Sequence, residues 1–316
     1  MDFNLDEKKH TRAAYGETLL RLGEVKPNMV VLDADLSSST KTSMFADKYS
    51  NRFFNVGCAE QNLMGMAAGF ALEGRTVFAS CFAMFGVGRA WEQIRNSIAY
   101  DALNVKIVLS HAGLTVGQDG SSHQIIEDLS LMRVIPNMRV MVPADYVETE
   151  KMIEYVADVP GPAYIRLSRE KTPSIYSDYD PDFAKPQTLI DGSDVTLFSC
   201  GLMVAEALKA HEKLSQQEIS AEVVNVHTLK PLPGDDIVDS VKKTGAAVTC
   251  EEHSIHGGLG GAISEILCEN YPTPLKKIGV GDVFGRSGSA QDLMAAYNLT
   301  SDDIVEAAKK AVNQKH

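Results

Sequence analysis

One carboxylate, two phenylalanines and a polar segment are the parts of this chain whose residue types and spacing could do chemistry. Glu60 comes first, Phe82 and Phe85 follow, and the polar segment is His111–His123. A carboxylate that is shielded from water can keep a proton that bulk solvent would remove. Beside aromatic rings and imidazoles, such a group is suited to proton transfer to a flat heterocycle. The pattern therefore indicates a coenzyme as well as a substrate.

Each of these features also has an ordinary structural explanation. Glu60 precedes an amphipathic segment, and the macrodipole favours a carboxylate at the start of any helix. Phenylalanines spaced like Phe82 and Phe85 are more often plain core. Their place directly after a predicted buried strand favours a ligand, because open α/β sheets bind ligands at that edge. The helix that follows, Gly88–Asn96, has the mixed charges of a subunit interface or of a solvated face.

The segment His111–His123 is predicted to be a ligand-binding loop. It follows the predicted strand Val105–Leu109, and its three glycines free the backbone to fold over a ligand. Its imidazoles and the carboxylate of Asp119 are suited to bind hydroxyls, a phosphate or a developing oxyanion. A single histidine there is also compatible with a purely structural hydrogen bond.

The composition favours a two-domain protein that acts on a small metabolite. A chain of 316 residues, 44% of them hydrophobic, can bury a sizeable core in two domains. Its formal net charge of −12 provides no basic face for nucleic acid or anionic lipid. The charged N-terminus has no signal sequence, and no apolar run is long enough to span a membrane. We therefore predict a cytoplasmic protein that binds neither nucleic acid nor membrane.

The cysteines are predicted to be reduced core thiols, because their number is odd and their neighbours are apolar. They are Cys58, Cys81, Cys200, Cys250 and Cys268. No metal-binding spacing occurs among them.

Short apolar runs such as Thr76–Ala79 alternate with segments of helical period along the chain. The alternation stops between Glu170 and Gly192, where prolines indicate an extended connector, and then resumes. This pattern predicts an α/β protein of two doubly wound domains with mostly parallel sheets, the second domain being smaller. The predicted divisions are a first domain at 1–175, a linker at 176–192 and a second domain at 193–316.

Two glycine-rich segments each allow two explanations. Gly57, Gly65, Gly69 and Gly74 indicate close contact of a helix with a neighbouring backbone or a ligand, or tight packing within the chain. The segment 256–263 resembles a phosphate-binding turn but matches no such motif. We therefore favour tight packing of a helix on a strand there.

Several motifs, taken in order, resemble the transketolase family. The first group is similar to that family's pyrimidine-binding domain: Ala59–Gln61, Cys81–Phe85, Arg89–Arg95 and His111–His123. The likeness continues into the family's C-terminal domain through Arg166–Arg169, Thr228–Leu232 and Gly285–Gly288. It covers nearly the whole chain.

The resemblance implies a thiamine-diphosphate enzyme that moves a two-carbon ketol unit from a ketose phosphate to an aldose. By matching position, Glu60 would hydrogen-bond ring nitrogen N1′ of the pyrimidine, and a nearby second carboxylate would keep Glu60 protonated. Phe82 would stack on the pyrimidine and Phe85 would line its pocket. Asp35 and Leu36 would lie beside the coenzyme.

The same resemblance implies a sugar-binding set. His123 and Asp119 would bind hydroxyls around the reacting carbons, with His123 also handling protons. The positions that would hold a phosphate are His111, Arg169, Arg12 and Ser39. One departure from the family is Gly86–Gly88, which stands where many members have a third aromatic residue. The pathway is open between central pentose phosphate metabolism and the breakdown of an unusual sugar.

The family's diphosphate-binding domain is marked by Gly-Asp-Gly, which this sequence lacks. Since Met1 begins where the second family domain would, we expect a split enzyme with a separate N-terminal subunit. That partner would carry the ligands for Mg²⁺ or Ca²⁺, so no metal site is predicted in this chain. An α2β2 heterotetramer would place the active sites between subunits.

Two other interpretations of the function stay open. An enzyme alternative is the β subunit of an α-keto-acid dehydrogenase, or a deoxyxylulose-phosphate-synthase-like enzyme. The polar loop and Arg169 favour a phosphorylated sugar over a plain keto acid. The non-enzyme alternative is a regulatory or scaffolding α/β subunit, against which the intact Glu60 and imidazoles argue.

Overall fold

Two sheets flanked by helices and one short ribbon make up the structure, a computed structural model that describes residues 3–177 and 179–315. The predicted outer domain bounds, 1 and 316, lie outside these residues. The first part of the chain forms β1 (Asn4–His10), α1 (Thr11–Val25), β2 (Met29–Asp33), α2 (Ser37–Thr40), α3 (Ser43–Lys48), β3 (Phe53–Asn55), α4 (Glu60–Leu72), β4 (Thr76–Ser80), α5 (Ala83–Gln93), β5 (Val105–Leu109), α6 (Asp128–Arg133), β6 (Arg139–Met141), α7 (Tyr146–Asp158) and β7 (Ala163–Arg166). The rest forms β8 (Lys171–Ser174), β9 (Gln187–Ile190), β10 (Val195–Ser199), α8 (Met203–Ser215), β11 (Ala221–Asn225), β12 (Thr228–Lys230), α9 (Gly234–Thr244), β13 (Ala247–Ser254), α10 (Leu259–Asn270), β14 (Leu275–Val280), α11 (Ala290–Ala296) and α12 (Ser301–Val312).

The first sheet has seven strands in the order β12–β6–β7–β5–β4–β2–β3. The strands from β2 to β7 all pair in parallel, as the buried apolar runs predicted. The chain leaves β2 for β3 on one side and reaches β4 on the other, so the strand order reverses there. Such a reversal opens a crevice at the carboxyl ends of the strands. The antiparallel edge strand β12 comes from beyond the predicted domain boundary and was not predicted.

The second sheet has five strands in the order β14–β13–β10–β11–β9, and all but β9 are parallel. Its smaller size agrees with the predicted smaller second domain. The predicted connector is more structured than expected, because β8 pairs with β1 in a two-stranded ribbon and β9 joins the second sheet. Both pairings join residues far apart in sequence, so no local pattern announces them.

Capping groups mark where several helices begin and end. Asp145 accepts the backbone amide of Glu148 at the start of α7, and Thr300 forms a capping box with Asp303 at the start of α12. Helix α9 ends at Gly245, whose φ of 72° is the left-handed conformation common after a helix.

The glycine-rich segment before α10 is explained by packing of a helix on a strand, as predicted. Glu251 of β13 accepts the backbone amides of Leu259 at 2.7 Å and Gly260 at 2.8 Å. A Cβ added at Gly258 would overlap the same carboxylate. An internal carboxylate thus takes the place at the helix start that a phosphate occupies in a phosphate-binding turn.

The glycines of α4 have a different explanation. Nothing in the described part of the chain lies within 4 Å of a Cβ added at Gly65 or Gly69. Tight packing within the chain therefore does not account for these two glycines.

The cysteine prediction was right for three thiols and wrong for two. Cys81, Cys200 and Cys250 are buried, whereas Cys58 and Cys268 are exposed. Cys58 lies in the turn before α4, and Cys268 lies on the outer face of α10 next to charged residues. Over 3–177 and 179–315, no helix is long and apolar enough to cross a bilayer.

Candidate active site

Six of the predicted site residues lie at the carboxyl ends of neighbouring parallel strands. In sheet order, Glu60 follows β3, Asp35 and Leu36 follow β2, and Phe82 follows β4. His111 then follows β5, and Arg169 follows β7. A further bridge between Phe82 and Ser110 extends the pairing of β4 and β5 past their named ends. The sheet therefore fixes the backbone from which the aromatic and imidazole side chains project.

Glu60 is buried and contacts a cation. Its side chain is 5% exposed, and its Oε2 accepts a hydrogen bond from Arg89 Nη1 at 2.8 Å. Arg89 Cζ also lies 5.4 Å from the centroid of the Phe85 ring. Within this chain the group that bonds Glu60 is therefore a cation, whereas a second carboxylate was predicted.

The aromatic pair and the two imidazoles form one cluster. The Phe82 and Phe85 ring centroids are 6.5 Å apart, with 21° between the ring planes. His111 stacks on Phe82 at 3.8 Å between centroids. His123 meets Phe85 edge-on at 5.2 Å and 81°. The two ends of the predicted ligand-binding loop thus both rest on the aromatic pair.

His111 is a neutral imidazole at neutral pH. It is 4% exposed, and its Nδ1 lies 2.9 Å from the hydroxyl of Ser110. Burial, and after it the nearby charges of Arg12 and Arg169, lower the pKa of His111 to about 3. The side chain therefore offers a hydrogen bond to a ligand but no positive charge.

Two arginines supply the positive charge around His111. Arg12 Nη1 donates to the backbone carbonyl of Ser39 at 2.9 Å, so the backbone and not the hydroxyl of Ser39 makes this contact. Arg169 Nη1 donates to the carbonyl of Val116 and lies 3.3 Å from the side-chain oxygen of Gln118. Arg12 lies in the first helix and Arg169 beyond the last parallel strand. The fold therefore brings together two cations that are far apart in sequence.

The loop between the two histidines contains a short 3₁₀ segment, Leu114–Asp119, in which Leu114–Gly117 is buried while Gln118 and Asp119 are exposed. Glycines with positive φ precede and interrupt this segment, with φ of 83° at Gly113 and 81° at Gly117. A residue with a side chain would be strained at these φ values. The turns bring Asp119 to the surface and return the chain to His123.

Asp35 and Leu36 are held in a tight turn after β2. Asp35 has a φ of 64°, and its Oδ1 accepts a hydrogen bond from Asn55 Nδ2 at 3.1 Å. The amide of Leu36 donates to Asp33 Oδ1 at 2.6 Å. Asp33 is fully buried and accepts the hydroxyl of Thr40 at 2.7 Å. The buried carboxylate of Asp33 thus shapes the turn that presents the two predicted residues.

Three residues of the site were not singled out from the sequence: Arg89, Gln124 and Asp33. Arg89 follows Phe85 by one helical turn, so helical periodicity could have placed both on one face. Gln124 directly follows His123, and Asp33 is a polar residue at the end of the otherwise apolar strand β2. Their partners are distant in sequence, and those contacts carry no local signal.

The chain matches family models over most of its length. Residues 7–174 match the pyrimidine-binding domain of transketolase, and residues 184–304 match its C-terminal domain. The chain belongs to the transketolase family. The family consists of transferases, and this chain has the two domains that form its C-terminal part.

Relatives match the chain from end to end. A protein from Methanocaldococcus jannaschii named as a transketolase C-terminal section is 50% identical and covers 94% of this chain and 95% of its own length. A 6-deoxy-6-sulfo-D-fructose transketolase subunit from Clostridium sp. (strain MSTE9) is 40% identical and covers 98% and 97%. A solved split-gene transketolase, an inactive β4 tetramer, is 50% identical with a TM-score of 0.91 and covers 97% and 99%.

Membership of the family implies thiamine diphosphate as the coenzyme, and the residues present fit its pyrimidine end. A flat heterocycle needs an aromatic wall, which Phe82 and Phe85 can form, and a buried partner for a ring nitrogen, which Glu60 can form. Arg89 already places one planar group in contact with both the Phe85 ring and the Glu60 carboxylate. Within 3–177 and 179–315, no group of three or more His, Cys, Asp or Glu could hold a metal ion.

Proposed function

We propose that this chain is the C-terminal subunit of a split transketolase that moves a two-carbon ketol unit from a ketose phosphate to an aldose phosphate. The observation that carries the proposal is the buried carboxylate of Glu60, which Arg89 links to the Phe85 ring, with Phe82 and two imidazoles in the same aromatic cluster. End-to-end similarity to proteins named as transketolase subunits supports the same reaction.

When bound, thiamine diphosphate supplies the carbon nucleophile and the electron sink for ketol transfer. Glu60 is assigned the hydrogen bond to ring nitrogen N1′, and Asp35 and Leu36 are assigned places beside the coenzyme. To make that bond through Oε2, Glu60 has to release the N–H of Arg89, and one proton has to lie between Oε2 and the ring nitrogen, which carries no hydrogen of its own. Because the carboxylate is shielded from water, a hydrogen bond there is stronger than one in solvent.

The sugar is assigned to the loop and to the two arginines. His123 and Asp119 are assigned the hydroxyls next to the reacting carbons, and His123 is also assigned proton transfer. Arg12 and Arg169 are assigned the phosphate, since a guanidinium is suited to bidentate contact with that group. His111 is assigned an uncharged hydrogen bond, and Ser39 lies at the same phosphate end.

The other half of the active site is assigned to a separate N-terminal subunit in an α2β2 assembly. That subunit would bind the diphosphate through Mg²⁺ or Ca²⁺. The names of the relatives, a C-terminal section and a transketolase subunit, support this division. So does the open face of α4, where the exposed Gly65 and Gly69 leave room for a neighbouring backbone.

No observation favours the alternatives. The full-length relatives are named as transketolase subunits and not as α-keto-acid dehydrogenase or deoxyxylulose-phosphate synthase. A scaffolding role would require neither a buried Glu60 nor a paired set of cations around His111. The cytoplasmic location stays a prediction.

Exchange of the coenzyme's C2 proton tests the role of Glu60. In the reconstituted pair, Glu60→Ala should lower the exchange rate at least about 100-fold, since general acid–base groups typically contribute that much. Glu269→Ala removes an exposed carboxylate on α10 and should leave the rate unchanged. An unchanged rate in Glu60→Ala would remove Glu60 from the mechanism.

Calorimetry on the chain without its partner completes the same experiment. The chain alone should bind thiamine diphosphate weakly, with or without Mg²⁺. Tight, metal-dependent binding would show that the chain needs no second subunit for its coenzyme.

A further inference from the structure

A short segment of the C-terminal domain, Gly285–Gly288, lies against the loop that carries Asp119, although the proposed chemistry gives it no role. Ser287 Oγ donates to the backbone carbonyl of Gln118 at 2.8 Å, in the peptide directly before Asp119. A Cβ added at Gly117 would be 3.3 Å from the carbonyl oxygen of Gly288. The two backbones therefore approach each other closely.

One buried amide joins the loop and the segment. Gln124 is 5% exposed, and its Nε2 lies within hydrogen-bond distance of three carbonyls, those of Leu114 at 3.0 Å, Gly117 at 3.3 Å and Arg286 at 3.0 Å. An amide NH₂ has only two protons, so the three acceptors share them. A Cβ added at Gly285 would overlap the oxygen of the same side chain. Because Gln124 directly follows His123, this contact also fixes the end of the loop.

The C-terminal domain also holds the beginning of the loop. Glu252 on β13 is 3% exposed and accepts a hydrogen bond from the backbone amide of Thr115. A Cβ added at Gly113 would overlap the Glu252 carboxylate. The loop is therefore held at its beginning, middle and end by one domain.

The segment is itself anchored within the C-terminal domain. On one side of it, Tyr297 donates its hydroxyl to the carbonyl of Phe284 at 2.9 Å. On the other side, Ser289 accepts the amide of Asp292 at 3.1 Å at the start of α11. The segment can therefore act as a fixed support for the loop.

We propose that Gly285–Gly288 sets the position of the sugar-binding loop, and that Gln124 and Ser287 are positioning residues for the sugar. This inference rests on the proposed function. The loop's glycines leave its backbone free, so contacts from outside have to hold Asp119 and His123 in one geometry. The C-terminal domain, which contributes no residue to the assigned site, thereby determines how well the site binds a sugar phosphate.

Ser287 allows a matched test, because it is exposed and its replacement does not disturb the core. In the reconstituted pair, Ser287→Ala should raise KM for the ketose phosphate about fivefold, the effect of one ordinary hydrogen bond, with little change in kcat. Ser287→Thr keeps the hydroxyl and should stay near the wild type. Thr273→Ala removes an exposed hydroxyl elsewhere in the same domain and should change nothing. The exchange rate of the coenzyme's C2 proton should be the same in all four proteins.

Hydrogen–deuterium exchange tests the loop without any turnover. In the chain alone, amides of residues 114–119 should exchange faster in Ser287→Ala than in Ser287→Thr. Gln124→Glu points a carboxylate oxygen at three carbonyl oxygens and should speed up the exchange of these amides more than Ser287→Ala does. Gln124→Met removes the donor without adding charge. Equal loop exchange in the two Ser287 variants, or an unchanged KM in Ser287→Ala, would overturn the proposal. Absence of C2 exchange in the wild-type pair would instead count against the proposed function, and the loop measurement would still decide the positioning role.

Discussion

A double-mutant cycle on Glu60 and Arg89 measures whether this ion pair holds the buried carboxylate in solution. Arg89→Met removes the guanidinium, whose Cζ lies 5.4 Å from the Phe85 centroid, and keeps an unbranched apolar side chain. Glu60→Gln keeps the shape of the side chain and removes its charge. Comparing the two single variants with the double variant isolates the energy of the pair from other effects of each substitution.

The exposure of the two side chains sets the expected size of that energy. The carboxylate is 5% exposed and the guanidinium 56%. Pairs between exposed side chains contribute about 0–1 kcal/mol, and losing one partner of a fully buried pair costs about 3–5 kcal/mol. This pair lies between the two cases, and solvent screens its guanidinium end. We expect Arg89→Met to lower the free energy of unfolding by about 1–2 kcal/mol, and by less than about 0.5 kcal/mol in the Glu60→Gln background.

Urea unfolding of the isolated chain at pH 7 gives these free energies, and two protein concentrations would expose any contribution from self-association. Arg95→Met is the matched control. Arg95 is exposed in the same helical region and forms no ion pair within the described part of the chain, so its loss should matter little. If the Glu60 and Arg89 effects add to within about 0.3 kcal/mol, the pair does not form in solution and the reasoning is refuted.

The His111 pKa of about 3 lies below the 6.5 of an unfolded histidine, so the unfolded chain binds the extra proton first. Above pH 6.5 the imidazole is neutral in both states, so it does not lower the free energy of unfolding. Between pH 6.5 and pH 3 the free energy of unfolding falls as the pH falls, with a limiting slope of about 1.4 kcal/mol per pH unit. His111→Asn, which suits the left-handed backbone at this position, should flatten urea midpoints measured between pH 7 and 4.5. Gly258→Ala should lower the free energy of unfolding by about 2 kcal/mol or more, because its Cβ displaces the Glu251 carboxylate from the start of α10. Gly281→Ala, with nothing within 4 Å of the new Cβ, is its control in thermal unfolding.

Each of these two predictions has an outcome that contradicts it. An unchanged pH slope in His111→Asn would mean that another group dominates acid destabilisation. Equal melting temperatures for Gly258→Ala and Gly281→Ala would mean that the Glu251 carboxylate moves aside at no cost.

Four strands of the site, β2, β4, β5 and β7, could be predicted because they are buried on both faces, whereas the short and partly exposed β3 was not predicted. The run Val105–Leu109 is apolar except for Lys106, and the residues that follow a run of this kind fall at the ligand-binding edge of the sheet. Phe82 and His111 were placed by this argument. The alternation of strands and helices then predicted the parallel order.

Contacts between distant parts of the chain could not be predicted in this way. Strand β12 crosses from one predicted domain to the sheet of the other, and a pattern that is read locally gives no information about such pairing. The same holds for Arg89 and Glu60, which lie on different helices. The sequence correctly suggested that Glu60 is shielded, and its side-chain hydrogen-bond partner in the described part of the chain is the guanidinium of Arg89.

Arg89 is much more exposed than Glu60, so Arg89 is the partner that can move away when their ion pair breaks. Arg89 reaches Glu60 from a largely exposed position, so its guanidinium can regain water when it lets go. Glu60 cannot reach water in the same way, because its side chain is buried at the start of α4. A pyrimidine ring entering this pocket would therefore displace the arginine and find the carboxylate already in place. A carboxylate that is held before its ligand arrives loses little conformational freedom on binding, which favours affinity for the coenzyme.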